Sequence, residues 1–186
     1  MKKLSLLVAF ALIITIGGVY AAWSYAQGDV ETAQGFVLPS METVTTTGSK
    51  GQISVNTSGL TMKVDDTDDG NAHNTKLVMN DGGKIVITFT PAEGADSTVV
   101  TNGIKMQAVI TCTENWEYNG TPMFTIDTTK NTFTTTGTAL TWEITADQIA
   151  EAVSLSEIEL DTYAEFLSYQ TVLNQGNIKI TVTEVE

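Results

Sequence analysis

Ile104-Lys105-Met106-Gln107-Ala108-Val109-Ile110-Thr111-Cys112-Thr113 is the stretch that decides the fold class. Met106, Ala108, Ile110 and Cys112 recur at period two, with Lys105, Gln107, Thr111 and Thr113 between them and Val109 the exception. Successive side chains of a strand point to opposite faces, so the pattern predicts a strand with one face in a core and one toward water. The end of the chain repeats the signal, with Ile178, Ile180 and Val182 alternating with Lys179, Thr181 and Thr183. Working outward, short apolar runs bounded by turn residues predict further strands at 52–55, 60–64, 76–79, 84–90, 123–126, 132–136 and 139–144. Asn80-Asp81-Gly82-Gly83 separates two of these runs and predicts a hairpin, because Asn, Asp and Gly tolerate the positive φ of tight turns.

One stretch departs from the β pattern. Thr145-Ala146-Asp147-Gln148 is a capping-box sequence, and Ile149, Ala152 and Val153 then share a helical face. A second helix is expected after Asp161 as cap, with Ala164, Leu167 and Leu173 at helical spacing, Phe166 beside them and Gly176 as the stop. The predicted fold is therefore mainly β, a jelly roll or β-sandwich with a short helical insertion before the last strand, preceded by an N-terminal signal helix.

Composition narrows the function. The chain has 186 residues, enough for one domain with a real core. Its 22 acidic and nine basic residues, every basic one a lysine, give a net charge of −13. Such a surface repels phosphate backbones, so no nucleic-acid partner is expected. One cysteine forbids an internal disulfide and one histidine forbids a multi-histidine metal site.

The first residues read as an export signal. Lys2 and Lys3 precede an apolar run from Leu4 to Ile16, which Gly17-Gly18 ends, and small residues follow at Ala21, Ala22, Ser24 and Ala26. A short apolar helix, a breaker and an extended stretch open to a peptidase are the parts of a secretory signal. The run is short for a membrane span of about 20 residues, so contact with a membrane is expected only through this segment before cleavage. Removing Lys2 and Lys3 leaves 22 acidic residues against seven lysines, a charge of −15.

Gly17-Gly18-Val19-Tyr20-Ala21-Ala22-Trp23-Ser24 resembles the signal signature of TasA and camelysin, fibre proteins of Gram-positive biofilm matrices that are processed by a specialised signal peptidase. The resemblance implies cleavage between Ala22 and Trp23; small-residue rules alone would cut after Ala26. It divides the chain into a signal peptide at 1–22 (alternative end at 26), an arm at 23–50 and a β-sandwich domain at 51–186. The arm carries scattered apolar residues, Trp23, Tyr25, Val30, Phe36 and Leu38, in a polar stretch whose patterning predicts no strand of its own. In TasA-like fibres the freed N-terminal segment of one subunit completes a sheet of its neighbour. The resemblance thus implies a secreted, extracellular or cell-surface homopolymer that assembles by donor-strand exchange, with itself and the signal peptidase as partners.

Residues with chemistry are few. Asp65, Asp66, Asp68 and Asp69 lie ahead of His73 in a stretch read as a loop, and clustered carboxylates suit a hard ion such as Ca2+. An EF-hand frame starting at Asp65 puts Lys76 where the bidentate glutamate belongs, so a solvated, charged turn is the plainer reading. No cofactor is otherwise expected. His73 has no glycine-flanked nucleophilic serine to serve, and Cys112 sits among apolar neighbours with no basic partner, so no catalytic residues are assigned and the chain reads as a non-enzyme. Trp116 and Tyr118 share a face near a turn and are the candidate ligand residues of an alternative function, a monomeric or membrane-tethered β-sandwich binding module for a glycan or surface ligand. Core packing is the commoner use of such aromatics.

Overall fold

The computed structural model describes residues 36–37, 41–45, 50–68, 73–160 and 162–186. The fold is mainly β, with strands in several sheets and three helices among these residues. Strands β1 (Phe36–Val37), β4 (Met62–Asp68) and β5 (His73–Met79) form a sheet in the order β1-β4-β5. β2 (Glu42–Thr45), β7 (Met106–Cys112), β11 (Thr132–Thr134) and β14 (Ile178–Glu184) form the largest sheet, ordered β11-β7-β14-β2. β3 (Gly51–Asn56), β6 (Lys84–Pro91) and β12 (Thr141–Thr145) make a third, ordered β12-β6-β3. Two-stranded ribbons pair β8 (Glu117–Tyr118) with β9 (Thr121–Pro122), and β10 (Phe124–Ile126) with β13 (Val153–Leu155).

The alternation in the sequence becomes the core. In β7, Met106, Ala108 and Ile110 are fully buried; in β14, so are Ile178, Ile180 and Val182. The antiparallel register sets Ile180 opposite Ile110 and Val182 opposite Ala108, so the two strands together present one continuous apolar face. Ile85, Ile87 and Phe89 of β6, Ile144 of β12 and Ile53 of β3 belong to the same cluster. Each such side chain contributes roughly 1.5–3 kcal/mol of burial.

Local chemistry sets the helices. In α1 (Ser97–Asn102) the Asp96 carboxylate accepts the Thr98 N–H. Helix α2 (Ala146–Ala152) carries the expected capping box, with Thr145 and Gln148 satisfying each other's backbone amides. Helix α3 (Tyr163–Leu173) begins with a second capping box, one residue later than the cap expected at Asp161: Thr162 is the cap and Glu165 its partner, while Asp161 lies outside the described residues.

Other expectations are corrected. Val153 does not continue α2 but starts β13. In α3 the buried residues are Tyr169 and Leu173, with Phe166 half-buried; Ala164 is exposed and Leu167 is 43% exposed. The inward stripe runs through 166, 169 and 173 because the large Tyr169 ring claims the core side. Asn80–Gly83 is a turn, with the Gly83 N–H donating to the Asn80 carbonyl, yet it makes no hairpin. It carries the chain from β5 in one sheet to β6 in another. Asn80 is held there by the 59–61 segment: its Oδ1 accepts the Thr61 N–H at 2.7 Å and its Nδ2 donates to the Gly59 carbonyl at 3.1 Å. Asn119-Gly120 is the tight hairpin turn instead, joining β8 to β9 with φ of 51° and 80°.

Gly176, read as a helix stop, is fixed by packing. A Cβ there would lie 2.2 Å from the Trp116 indole. Gly176→Ala is expected to cost about 1–3 kcal/mol in urea unfolding, the usual penalty of overpacking; an unchanged midpoint would show that the indole can move aside.

Candidate functional site

Trp116 and Tyr118 are not on the surface. They are 6% and 5% exposed, and each is anchored at its polar end by a carbonyl of α3. The Trp116 Nε1–H donates to Val172 at 2.8 Å, and the Tyr118 hydroxyl donates to Glu165 at 3.2 Å. Their rings pack on Phe124 (centroids 4.8 Å apart) and edge-on to Tyr169 (5.5 Å). This pair staples α3 to the β8–β9 ribbon and presents no stacking platform to a sugar.

The acidic stretch is also rearranged. Residues 65–68 extend β4 and His73 begins β5, so only 69–72 separate the strands, and Asp69 lies outside the described residues. The ladder sets Asp65 opposite Lys76 and Asp68 opposite His73, so this stretch is paired strand and not the expected loop. Among the described residues no group of three or more His, Cys, Asp or Glu side chains gathers as a metal site would require. Cys112 is half-buried opposite Ile178, and burial pushes its thiol pKa up, away from the reactive thiolate.

The features left are the sheet rims. Among the described residues, β1 and β5 close one sheet, β2 and β11 the largest, and β3 and β12 the third. Phe36, one of the apolar arm residues, is in β1 and pairs in register with Val64 of its own chain. Glu42–Thr45 adds to β14 in parallel. Much of the 36–45 stretch, expected to be without strand pattern, thus caps two rims of its own domain. Ala22, Trp23, Tyr25, Val30 and Leu38, and the signal segment, lie outside the described residues.

Thr75 ties one of these rims to the helical insertion. It is 2% exposed, and its N–H donates to the Ile158 carbonyl at 3.3 Å. Its hydroxyl donates to the Ser156 carbonyl and accepts the Ile158 N–H, both at 3.0 Å. Beside it, the buried Tyr169 phenol has its pKa pushed up to about 12 by loss of water, an effect that the nearby Thr75 hydroxyl opposes.

No helix among the described residues is long and apolar enough to cross a membrane. Comparison with known proteins returns no match, whether to a family model, a curated protein or a solved structure.

The Tyr169 phenol gives a pH signature. Its folded pKa exceeds the ordinary value of 10.0, so the folded chain holds this proton more tightly. The stabilisation is complete below about pH 10 and is lost as pH rises toward about 12, a swing on the order of 2–3 kcal/mol. Alkaline unfolding followed by circular dichroism should show this fall, and Tyr169→Phe should flatten it. Parallel curves for the two proteins would contradict the assignment.

Proposed function

We propose that this chain is a non-catalytic, secreted structural subunit of an extracellular fibre, a jelly-roll-like β-sandwich that assembles by N-terminal donor-strand exchange once its signal peptide is removed. The observation that carries the reading is how the N-terminal stretch is used. It enters at Phe36–Val37 on the rim of one sheet and crosses to Glu42–Thr45 on the rim of another. Both are edge additions, in which an extended segment satisfies amides and carbonyls that a sheet rim leaves open. Phe36–Val37 and Glu42–Thr45 are occupied at home, so the segment offered to a neighbour is Trp23 to Gly35, thirteen residues beginning with the aromatic that cleavage would free.

Assembly of this kind joins two different surfaces of identical subunits. It does not close on itself and so produces filaments. While the signal is attached the segment stays tethered at the membrane, and proteolysis becomes the switch. The mature charge of −15 keeps subunits apart until strand pairing outweighs repulsion. Calcium acts in this scheme as a screening ion. The buried Trp116 and Tyr118 remove the observation on which a glycan-binding reading would rest.

N-terminal sequencing of secreted protein should begin at Trp23, and negative-stain microscopy should show filaments from that form and none from the uncut chain. Adding calcium or acidifying should speed their growth. A sequence starting at Met1 would make the chain a tethered surface protein, and monomers under every condition would remove the fibre.

A further inference from the structure

Strands β5 and β13 are joined at one end and apart at the other. The joined end is Thr75 with its bonds to Ser156 and Ile158, flanked by a bridge between Asn74 and Glu159. Past Thr75 the two strands do not pair, and a cavity of about 470 Å3 opens between Leu77 and Met79 on one side and Val153 and Leu155 on the other, with Ala146 and Ala150 of α2 at its end.

Register shows what the walls offer. The Asn80 N–H donates to the Thr61 carbonyl, which makes 63/78 and 65/76 the hydrogen-bonded pairs between β4 and β5. The alternate residues Leu77 and Met79 therefore direct their amides and carbonyls away from β4, into the cavity. On the far wall the Asp127 N–H donates to the Ala152 carbonyl and the Ser156 N–H to the Met123 carbonyl, so 152, 154 and 156 face β10. Val153 and Leu155 face the cavity, and of their amides only that of Val153 is used, by the end of α2 at the Ile149 carbonyl. The other backbone groups of Leu77, Met79 and Leu155 on this side have no hydrogen-bond partner among the described residues. Two strand edges with matching open groups thus face each other across a gap.

We infer that this cleft is the acceptor for one extended strand, supplied by residues 23–35 of a second copy of this chain. The inference rests on the fibre reading and names the surface it would use. An inserted strand can pair on both sides, joining β1-β4-β5 to β13-β10 in one continuous sheet. The thirteen residues ahead of Phe36 span about 43 Å when extended, several times the three-residue wall of β13. Within them Gly28-Asp29-Val30-Glu31-Thr32 alternates, so Val30 can face the half-buried Leu77, Met79 and Leu155 while Asp29 and Glu31 face water. Taken from a second copy, the segment leaves the β1 rim of one subunit and enters beside the β5 rim of the next. A segment leaving one rim and a cleft beside the other make a head-to-tail contact. Asp81, Asp147 and Glu157 ring the cleft against a single lysine, Lys76, so insertion of the acidic segment is eased by salt.

The test is photo-crosslinking of the mature chain with benzoylphenylalanine at position 30, assembled from an equal mixture of isotopically heavy and light subunits. Heavy–light crosslinks to β5 or β13 are expected. Heavy–light crosslinks to β2, β3, β11 or β12 instead would leave the fibre standing and overturn the cleft. Crosslinks confined to one isotope would overturn the second copy as donor, and absence of filaments from the unmodified chain would overturn the fibre reading together with the inference. A second variant, Leu77→Pro, removes one cavity-facing amide and spares the ladder to β4. It should keep its circular dichroism spectrum and lower filament yield by about tenfold, the worth of one strand hydrogen bond. Wild-type yield from the folded variant would contradict the cleft.

Discussion

The last strand of the chain holds the middle of its largest sheet. β14 pairs antiparallel with β7 through seven residues and parallel with β2 through four, while Ile178, Ile180 and Val182 point into the core. A central strand satisfies backbone groups on both sides and buries one face, so it contributes more than any rim strand. Its pairings with β2 and β7 are long-range, contacts that close slowly in such topologies. Its central place leaves β2 on the rim of that sheet. The exposed ion pair between Lys179 and Glu42, at 3.1 Å, marks that junction but adds little to it.

What was legible in the sequence followed local rules. β6, β7 and β14 alternate cleanly because one face meets the core and the other water, and the Thr145–Gln148 capping box needs only its own four residues. β1 and β2 were missed for the opposite reason. Two and four residues on a rim bury too little to imprint an alternation, and Thr-rich stretches read alike in loops and edges. The acidic run looked like a loop because carboxylates are rare in strands; its cross-strand register against Lys76 and His73 becomes visible only once β5 is placed. The inward face of α3 could not be chosen between two apolar stripes without knowing where Tyr118 stands.

The candidate site was less legible still. Trp116 and Tyr118 looked available because both carry polar ends, and the carbonyls that satisfy those ends lie on α3, more than forty residues away. The cleft between β5 and β13 has no sequence signature at all. It exists because two ladders, one to β4 and one to β10, happen to direct their spare edges at each other. Backbone groups carry that site, and side-chain motifs say nothing of them.

Open rims are a hazard for any sheet protein, and this chain combines them with a strong negative charge, a common guard against uncontrolled pairing. In the proposed fibre, the residues ahead of Phe36 are the element that overcomes that guard. Sedimentation velocity of chains beginning at Trp23 and at Phe36, matched in concentration and salt, tests this directly. Large, heterogeneous assemblies from the first and a folded monomer from the second are predicted. The same sedimentation profile from both, whether monomer or polymer, would contradict it.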